Sequence, residues 1–287
     1  MKWNFGNTAF ASLFSLPLCA AQTLVGLTGA DTGTTLNQQF LAQRQRDRSS
    51  TSVQPRVVVF TGDRVIPQFV DGGSWKTSIF LVNLENHTTS FQVLFFNDDG
   101  TDLIVPVVGQ GPVRGINITL NSAASVEFET TGFSANLAQG WALLSQSTND
   151  SVGGMAIFRQ SVLGRPDQEA VVPIVSQFEN HFVLLYDNTA FTTAIALANP
   201  TLNSVVIPVN IRNQSGQIID QRTTALGPYS HTAFTLPDTW ISTAGQRGAI
   251  EFLTSGFGVG ALGIRFSGSA FTSFHVLQNF CWAVPPC

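Results

Sequence analysis

Apolar and polar residues alternate in short runs along most of the chain, and clusters rich in Gly, Asn, Asp and Ser separate these runs. The clusters include NDDGTD, LNSAAS, NQSGQ and LGPYS. Because successive side chains of a β-strand point to opposite faces, this period of two predicts half-buried strands joined by tight turns. The pattern favours an all-β fold of antiparallel strands packed into β-sandwiches. Helical periodicity is confined to LNQQFLAQRQRDR at residues 36–48, which predicts a short exposed helix.

One predicted strand occurs twice, as SWKTSIFLVN at residues 74–83 and as AFTTAIALAN at residues 190–199. Alternate residues on one face are Trp75, Thr77, Ile79, Leu81 and Asn83, and their counterparts 116 positions later are Phe191, Thr193, Ile195, Leu197 and Asn199. On the other face Lys76, Ser78, Phe80 and Val82 stand opposite Thr192, Ala194, Ala196 and Ala198. The conserved face is therefore predicted to point into a core.

The repeat extends beyond this strand. At the same spacing of 116, Phe91 matches Ile207 and Asp71 matches Asp187, and beyond the next turn a spacing of 106 matches Phe128 to Phe234 and Arg159 to Arg265. An insertion of about ten residues near GQGPVRGIN explains the change in spacing. The sequence thus predicts two tandem β-sandwich modules, at residues 56–174 and 175–280.

Both ends of the chain carry signals of export. Residues 1–21 have an early Lys, an apolar stretch and small residues before Gln22, which predicts a cleaved signal peptide. Residues 22–55 are rich in Thr, Ser, Gln and Gly and predict a flexible polar leader. Cleavage leaves Cys281 and Cys287, in the tail 281–287, as the pair expected to form a disulfide in an oxidising compartment. A secreted or cell-surface location follows.

Length and charge narrow the class of partner. A chain of 287 residues suits two domains. Charged residues make up only 11% of it, with a net charge of −4 and no Lys/Arg run, which argues against a nucleic-acid partner. No stretch after the signal approaches the ~18 apolar residues of a membrane span.

A resemblance adds to this picture. IPQFVDGGSWKTSIFLVN, FFNDDGTDL, GGMAIFRQ, PDQEAVVP and YDNTAFTTAIALANP resemble a tandem module of secreted proteins from soil bacteria, especially acidobacterial ones. The likeness spans roughly residues 66–276. No activity is assigned to that group, so no catalytic residue is carried over. The resemblance implies paired immunoglobulin-like or fibronectin-like sandwiches on an exported bacterial protein.

Candidate chemistry is sparse. The histidines at 87, 181, 231 and 275 are scattered, and no HExxH, GxSxG, P-loop or dinucleotide fingerprint is present. NDDGTD at residues 97–102 has the oxygen ligands that calcium prefers, but its counterpart NQSGQI lacks the carboxylates, which favours a plain hairpin turn. We expect no cofactor, no metal and no catalysis, with a secreted hydrolase as the least favoured alternative.

Two sets of residues are candidates for a binding surface. Trp141, Tyr186, Tyr229 and Trp240 suit stacking on sugars if they are exposed, and burial in a core is the alternative. Lys76 and Phe80 lie on the divergent face of the first module and predict a specific contact there, whereas Ala194, Ala196 and Ala198 suit close packing against a neighbour. We expect an adhesive or scaffold protein with a protein or glycan partner at the cell envelope, and a carbohydrate-binding protein is the alternative.

Overall fold

The computed structural model describes residues 62–175, 181–254 and 258–278, which belong to one compact unit. The predicted signal peptide, the leader with its short helix, and the pair Cys281 and Cys287 lie outside the described residues. Within these residues the structure is all-β, as the alternating pattern predicts, with antiparallel sheets that are consistent with β-sandwich packing.

The first ten strands precede residue 174. They are β1 (Arg64–Asp71), β2 (Trp75–Asn83), β3 (Thr89–Asn97), β4 (Val105–Val107), β5 (Gly111–Val113), β6 (Gly115–Leu120), β7 (Ser125–Glu129), β8 (Ala138–Ser145), β9 (Val152–Gln160) and β10 (Gln168–Pro173). The next eight are β11 (His181–Asp187), β12 (Thr192–Ala198), β13 (Val205–Asn213), β14 (Ile218–Leu226), β15 (His231–Thr235), β16 (Arg247–Leu253), β17 (Gly260–Ser267) and β18 (Ala270–Phe274). A one-turn helix α1 (Leu236–Thr239) and a 3-10 turn (Ile241–Thr243) follow β15.

Four sheets of four strands form two pairs with the same strand order. The first pair consists of β1-β8-β3-β6 and β10-β9-β2-β7, and the second consists of β11-β16-β13-β14 and β15-β12-β17-β18. In the repeat, β1, β8, β3 and β6 correspond to β11, β16, β13 and β14. Likewise β10, β9, β2 and β7 correspond to β18, β17, β12 and β15, so the two orders agree when the last sheet is read in reverse. The small sheet β4-β5 has no counterpart among the described residues of the second pair, and it occupies the region of the predicted insertion.

The repeated strand faces a core in both pairs. Ile79 and Leu81 of β2 are buried in the core of the first pair, and Ile195 and Leu197 of β12 are buried in the core of the second. The conserved apolar face thus supplies burial that stabilises each sheet pair. This confirms the core assignment that the period of two predicts.

The conserved polar residues of this strand make the same bonds in both copies. The Asn83 side-chain amide donates to the carbonyl oxygens of His87 and Asn121 at 2.7 and 3.0 Å. The Asn199 amide donates to the carbonyl oxygens of Asn203 and Gly227, both at 2.7 Å. Each buried Asn therefore satisfies its own amide by donating to loop carbonyls, which explains why the strand ends in Asn both times.

Strand pairing corrects the match between the two arginines. Arg159 pairs with Lys76 on the outer face, whereas Arg265 pairs with Thr193, the counterpart of the inward-facing Thr77. The true spacing of β9 and β17 is therefore 107, one more than the sequence suggests. A shift of one residue turns a side chain to the other face of a sheet, so the two arginines lie on opposite faces and are not structural counterparts.

The match between the two aspartates is also off by one. The Thr77 hydroxyl donates to the carbonyl oxygen of Val70 at 2.7 Å, and the Thr193 hydroxyl contacts the backbone of Asp187 in the same way, at 3.3 Å. Val70 is thus the counterpart of Asp187. Asp71 is displaced by one residue because Thr77 lies seven positions after Val70 whereas Thr193 lies six after Asp187, so the β1–β2 connection is one residue longer than the β11–β12 connection.

The two sheet pairs pack against each other through an interface that we call the internal interface. β1 lies against β12 and β17, and β15 lies beside β8. Ala194, Ala196, Ala233, Leu262 and Ile264 of the second pair are buried in one apolar cluster with the core of the first pair. This confirms the close packing that Ala194 and Ala196 predict. Alternate residues of β12 thus belong to two different cores.

Candidate functional site

The four aromatic residues considered for sugar stacking are all buried. Trp141 is 0% exposed, and Tyr186, Trp240 and Tyr229 are at most 7% exposed. Tyr186 and Trp240 lie in the second core, and the rings of Trp141 and Tyr229 flank that of Phe96 in the internal interface, with centroid distances of 4.7 and 5.4 Å. Burial, the alternative stated for these rings, is what the structure shows. None of them presents a face to a ligand.

The carboxylates of NDDGTD have three separate partners. Asp98 Oδ1 lies 2.9 Å from His231 Nδ1 across the internal interface, while Asp99 accepts a bond from the Thr101 backbone within its own turn. Asp102 lies 3.5 Å from Arg114. The segment is a hairpin turn, with Gly100 donating its N–H to the Asn97 carbonyl oxygen at 3.1 Å. The described residues contain no group of three His, Cys, Asp or Glu side chains that could hold a metal ion.

A buried carboxylate with three donors, which the sequence analysis did not predict, lies on the outer side of β11-β16-β13-β14. Glu251 is 0% exposed, and its oxygens lie 2.9 Å from the side chains of His181, Asn210 and Arg212. Burial alone raises the pKa of Glu251, but bonds from Asn210, His181 and Arg212 outweigh it and leave the pKa below its usual value. The cluster joins three strands and stabilises the sheet.

The outer side of β10-β9-β2-β7 carries an apolar patch that is open to solvent, and we call this side the open face. Phe80, Met155 and Pro173 lie side by side across β2, β9 and β10, and Ile157 and Val171 form the next row. Met155 is 43% exposed and Val171 is 45% exposed, whereas Phe80 and Ile157 are half-buried. Contiguous exposed apolar residues of this kind mark interaction surfaces.

Charged residues border the open face at one end. The Lys76 ammonium lies 2.8 Å from Glu129, and Arg159 pairs with Glu169 on the neighbouring strand. Burial raises the pKa of Glu129, but the bonds from Lys76 and Ser78 bring it below its usual value. Lys76 and Phe80, predicted as a contact surface, therefore lie on the same face, with the ammonium held by a carboxylate at the edge of the apolar rows.

Two shallow grooves lie on the outer sides of the other sheets. One, of about 510 Å³, lies on β1-β8-β3-β6 and is lined by Ser90, Phe91, Gln92, Asn117, Ile118, Thr119, Ser145, Gln146, Ser147 and Thr148. Several of these polar groups are bonded to each other, such as the hydroxyls of Ser90 and Thr119 at 2.8 Å. The other, of about 770 Å³, lies on β11-β16-β13-β14 and includes Leu185, Arg212, Arg247 and Ala249. We call the second one the arginine groove.

Comparisons of the chain with protein-family models, with curated proteins and with solved structures find no match. Among the described residues, the structure contains no helix of the length and apolar character needed to cross a membrane. Of the surfaces described above, the open face is the one whose exposed apolar residues are suited to a partner.

Proposed function

We propose that this chain is an exported, non-catalytic interaction protein of the cell surface, built as two tandem immunoglobulin-like sandwich modules. The identical strand order of the two sheet pairs and the recurring Asn83 and Asn199 bonds support a duplicated module. The sequence of residues 1–21 supports export. Binding through a presented surface is the activity of this proposed class.

The observation that carries the proposal is the contrast between the two counterpart faces. In the second pair the outer side of β15-β12-β17-β18 is covered, and Ala196 and Leu262 are 0% exposed. Strand pairing makes Phe80 and Met155 their counterparts in the first pair, on the open face. A surface that is buried in one copy and left apolar and open in the other is suited to a protein partner.

An affinity capture from the envelope fraction of the source organism tests this function. The wild-type chain is immobilised beside Met155→Glu, which places a charge at the centre of the open face, and beside Leu163→Glu as the matched control. Leu163 is likewise apolar and is fully exposed, but it lies in the loop after β9. We expect a partner that the wild type and the Leu163 variant retain and the Met155 variant loses; equal capture by all three contradicts a role for the face. A glycan array with the same proteins separates a protein partner from a sugar.

A further inference from the structure

We propose that the open face of one copy binds the arginine groove of a second copy, so that the chain associates head to tail. The inference deepens the proposed function, because it names a second copy of this chain as the occupant of the open face. Its basis is the internal interface, which already joins the counterparts of these two surfaces within one chain.

The internal interface joins the outer side of β1-β8-β3-β6 to the outer side of β15-β12-β17-β18. The counterpart of the first surface is the outer side of β11-β16-β13-β14, which contains the arginine groove, and the counterpart of the second is the open face. Each module therefore has one surface of each kind. The outer sides of β1-β8-β3-β6 and β15-β12-β17-β18 face each other inside the chain. The open face on the first module and the arginine groove on the second are left exposed.

The large side chain lies on one surface in the internal interface, and its counterpart in the proposed contact between copies lies on the opposing surface. Strand pairing makes Ala249 the counterpart of Trp141, and this exchange of a large ring for a methyl group leaves the concavity of about 770 Å³. On the opposing surface Phe80 replaces Ala196. The large side chain is therefore on one surface in the internal interface and on the opposing surface between copies, so each pair of surfaces offers one large and one small side chain for close packing.

The loop before β15, which contains Tyr229 and reaches Trp141, has a counterpart in the loop before β7, at the border of the open face. Tyr229, which reaches Trp141 in the internal interface, has φ +53°, and Ala123, at the same place before β7, has φ +58°. Both loops therefore make the same left-handed turn. The smaller Ala123 side chain leaves the approach to the groove open for Phe80 and Met155.

One acidic residue of the open face has a basic residue of the groove as its proposed partner. Glu127 on β7 is exposed at the border of the open face, and it is the counterpart of Ala233 on β15. Because β15 lies beside β8 in the internal interface, the same arrangement between copies places Glu127 beside β16, which carries Arg247. The Arg247 side chain lines the groove and is 51% exposed, and its Nε lies 2.9 Å from the Asp187 carboxylate. A contact from Glu127 to Arg247, in addition to that from Asp187, favours the proposed orientation.

A contact between two different surfaces is heterologous, so it forms an open chain or a ring rather than a two-fold dimer. This gives the experiment a specific signature. Met155→Glu blocks the open face and Leu185→Glu, at a residue that is 54% exposed, blocks the groove, while Leu163→Glu is the control for an added surface charge. Each blocked variant keeps one intact surface. An equimolar mixture of the two should therefore form a dimer that cannot grow.

The measurement is sedimentation velocity of the purified full chain over a concentration series, with circular dichroism to verify that each variant is folded. We expect wild type and the Leu163 variant to form species larger than a dimer, each blocked variant to lose at least tenfold in association constant, and the mixture to recover dimers only. A monomeric wild type, a single blocked variant that still associates, or a mixture that stays monomeric overturns the proposal. Self-association that fails while Met155-dependent capture from the envelope persists leaves the proposed function standing.

Discussion

Trp141 donates its indole N–H to the carbonyl oxygen of Tyr229 at 2.8 Å, although 88 positions separate the two residues. Both are buried, and the ring of Phe96 is stacked with each of them. The bond satisfies a polar group on each side of the internal interface, where neither reaches water. The two sheet pairs are therefore held at a fixed position by a directional contact as well as by apolar packing.

The loop that contains Tyr229 leaves no room for a side chain at Gly100. A Cβ atom at Gly100 would lie 2.2 Å from the carbonyl oxygen of Pro228, whereas one at Gly216, its counterpart with nearly the same φ, would meet nothing within 4 Å. We expect Gly216→Ala to cost about 1 kcal/mol for the left-handed backbone alone. Gly100→Ala should cost about 1–3 kcal/mol more, because the internal interface must move apart. Urea denaturation measures both, and equal losses would contradict the close approach.

Removal of the buried carboxylate should destabilise the second sheet pair. Glu251→Gln keeps the shape of the side chain but removes the charge that His181 and Arg212 contact, and we expect a loss of about 2–3 kcal/mol in the free energy of unfolding. The exposed pair of Arg159 and Glu169 provides the control: Glu169→Gln should change stability by less than about 1 kcal/mol. Chemical denaturation at neutral pH checks both values.

The same carboxylate predicts a pH dependence with a definite sign. The pKa of Glu251 in the folded chain lies below its ordinary value of 4.5, so the unfolded state binds the proton more readily. Its stabilising effect is complete above pH 4.5 and is lost as the pH falls through the lower folded pKa. The stability difference between wild type and Glu251→Gln should therefore shrink in acid. A difference that grows as the pH falls would show that the carboxyl group is protonated in the folded state.

Asp187 should titrate far below a free aspartate. The Thr189 hydroxyl donates to its carboxylate at 2.7 Å, the Thr189 backbone donates at 3.0 Å, and together with Arg247 they lower the pKa of Asp187 to about 2. Thr189→Val removes the largest of these contributions, so we expect the pKa to rise toward 3.8. Arg247→Gln should raise it less. Carboxyl-carbon NMR titration measures all three proteins, and a larger effect of the Arg247 variant would reverse the assigned order of causes.

Charges placed on the conserved face of the repeated strand should unfold the protein around them. Leu81 is 1% exposed in the first core and Leu197 is 0% exposed in the second, so Leu81→Asp or Leu197→Asp forces an unpaired carboxylate into an apolar core. We expect each to cost more than about 4 kcal/mol. Leu84→Asp, at a residue that is 60% exposed, is the control and should be tolerated. Limited proteolysis with mapping of the cleavage sites should reveal early cuts in the altered sheet pair only for the two core variants.

The features that the sequence predicted are the ones that depend on local alternation. The buried face of β2 could be assigned because burial repeats every second residue, and conservation of Thr77 and Asn83 in the second copy indicated an inward position for them as well. Residue type alone placed Ala194 and Ala196 in a tight contact, since only small side chains allow two sheets to approach closely.

Other features depend on three-dimensional register and could not be predicted. The longer β1–β2 connection moved Asp71 out of step with Asp187, and a one-residue difference in register separated Arg159 from Arg265, although letter-by-letter alignment favoured both matches. The Glu251 cluster was missed because its members come from three strands with no common spacing. Whether Trp141 was exposed or buried depended on a loop 88 positions away.

The location of Tyr229 also has a consequence for the order in which the chain matures. During synthesis the N-terminal strands emerge first, and β8 is complete long before residue 229 is added. Until then the rings of Phe96 and Trp141 face water, and the indole N–H has no carbonyl to bind. A nascent chain paused between these points exposes a hydrophobic surface, so chaperones should engage it there and release it once the loop closes.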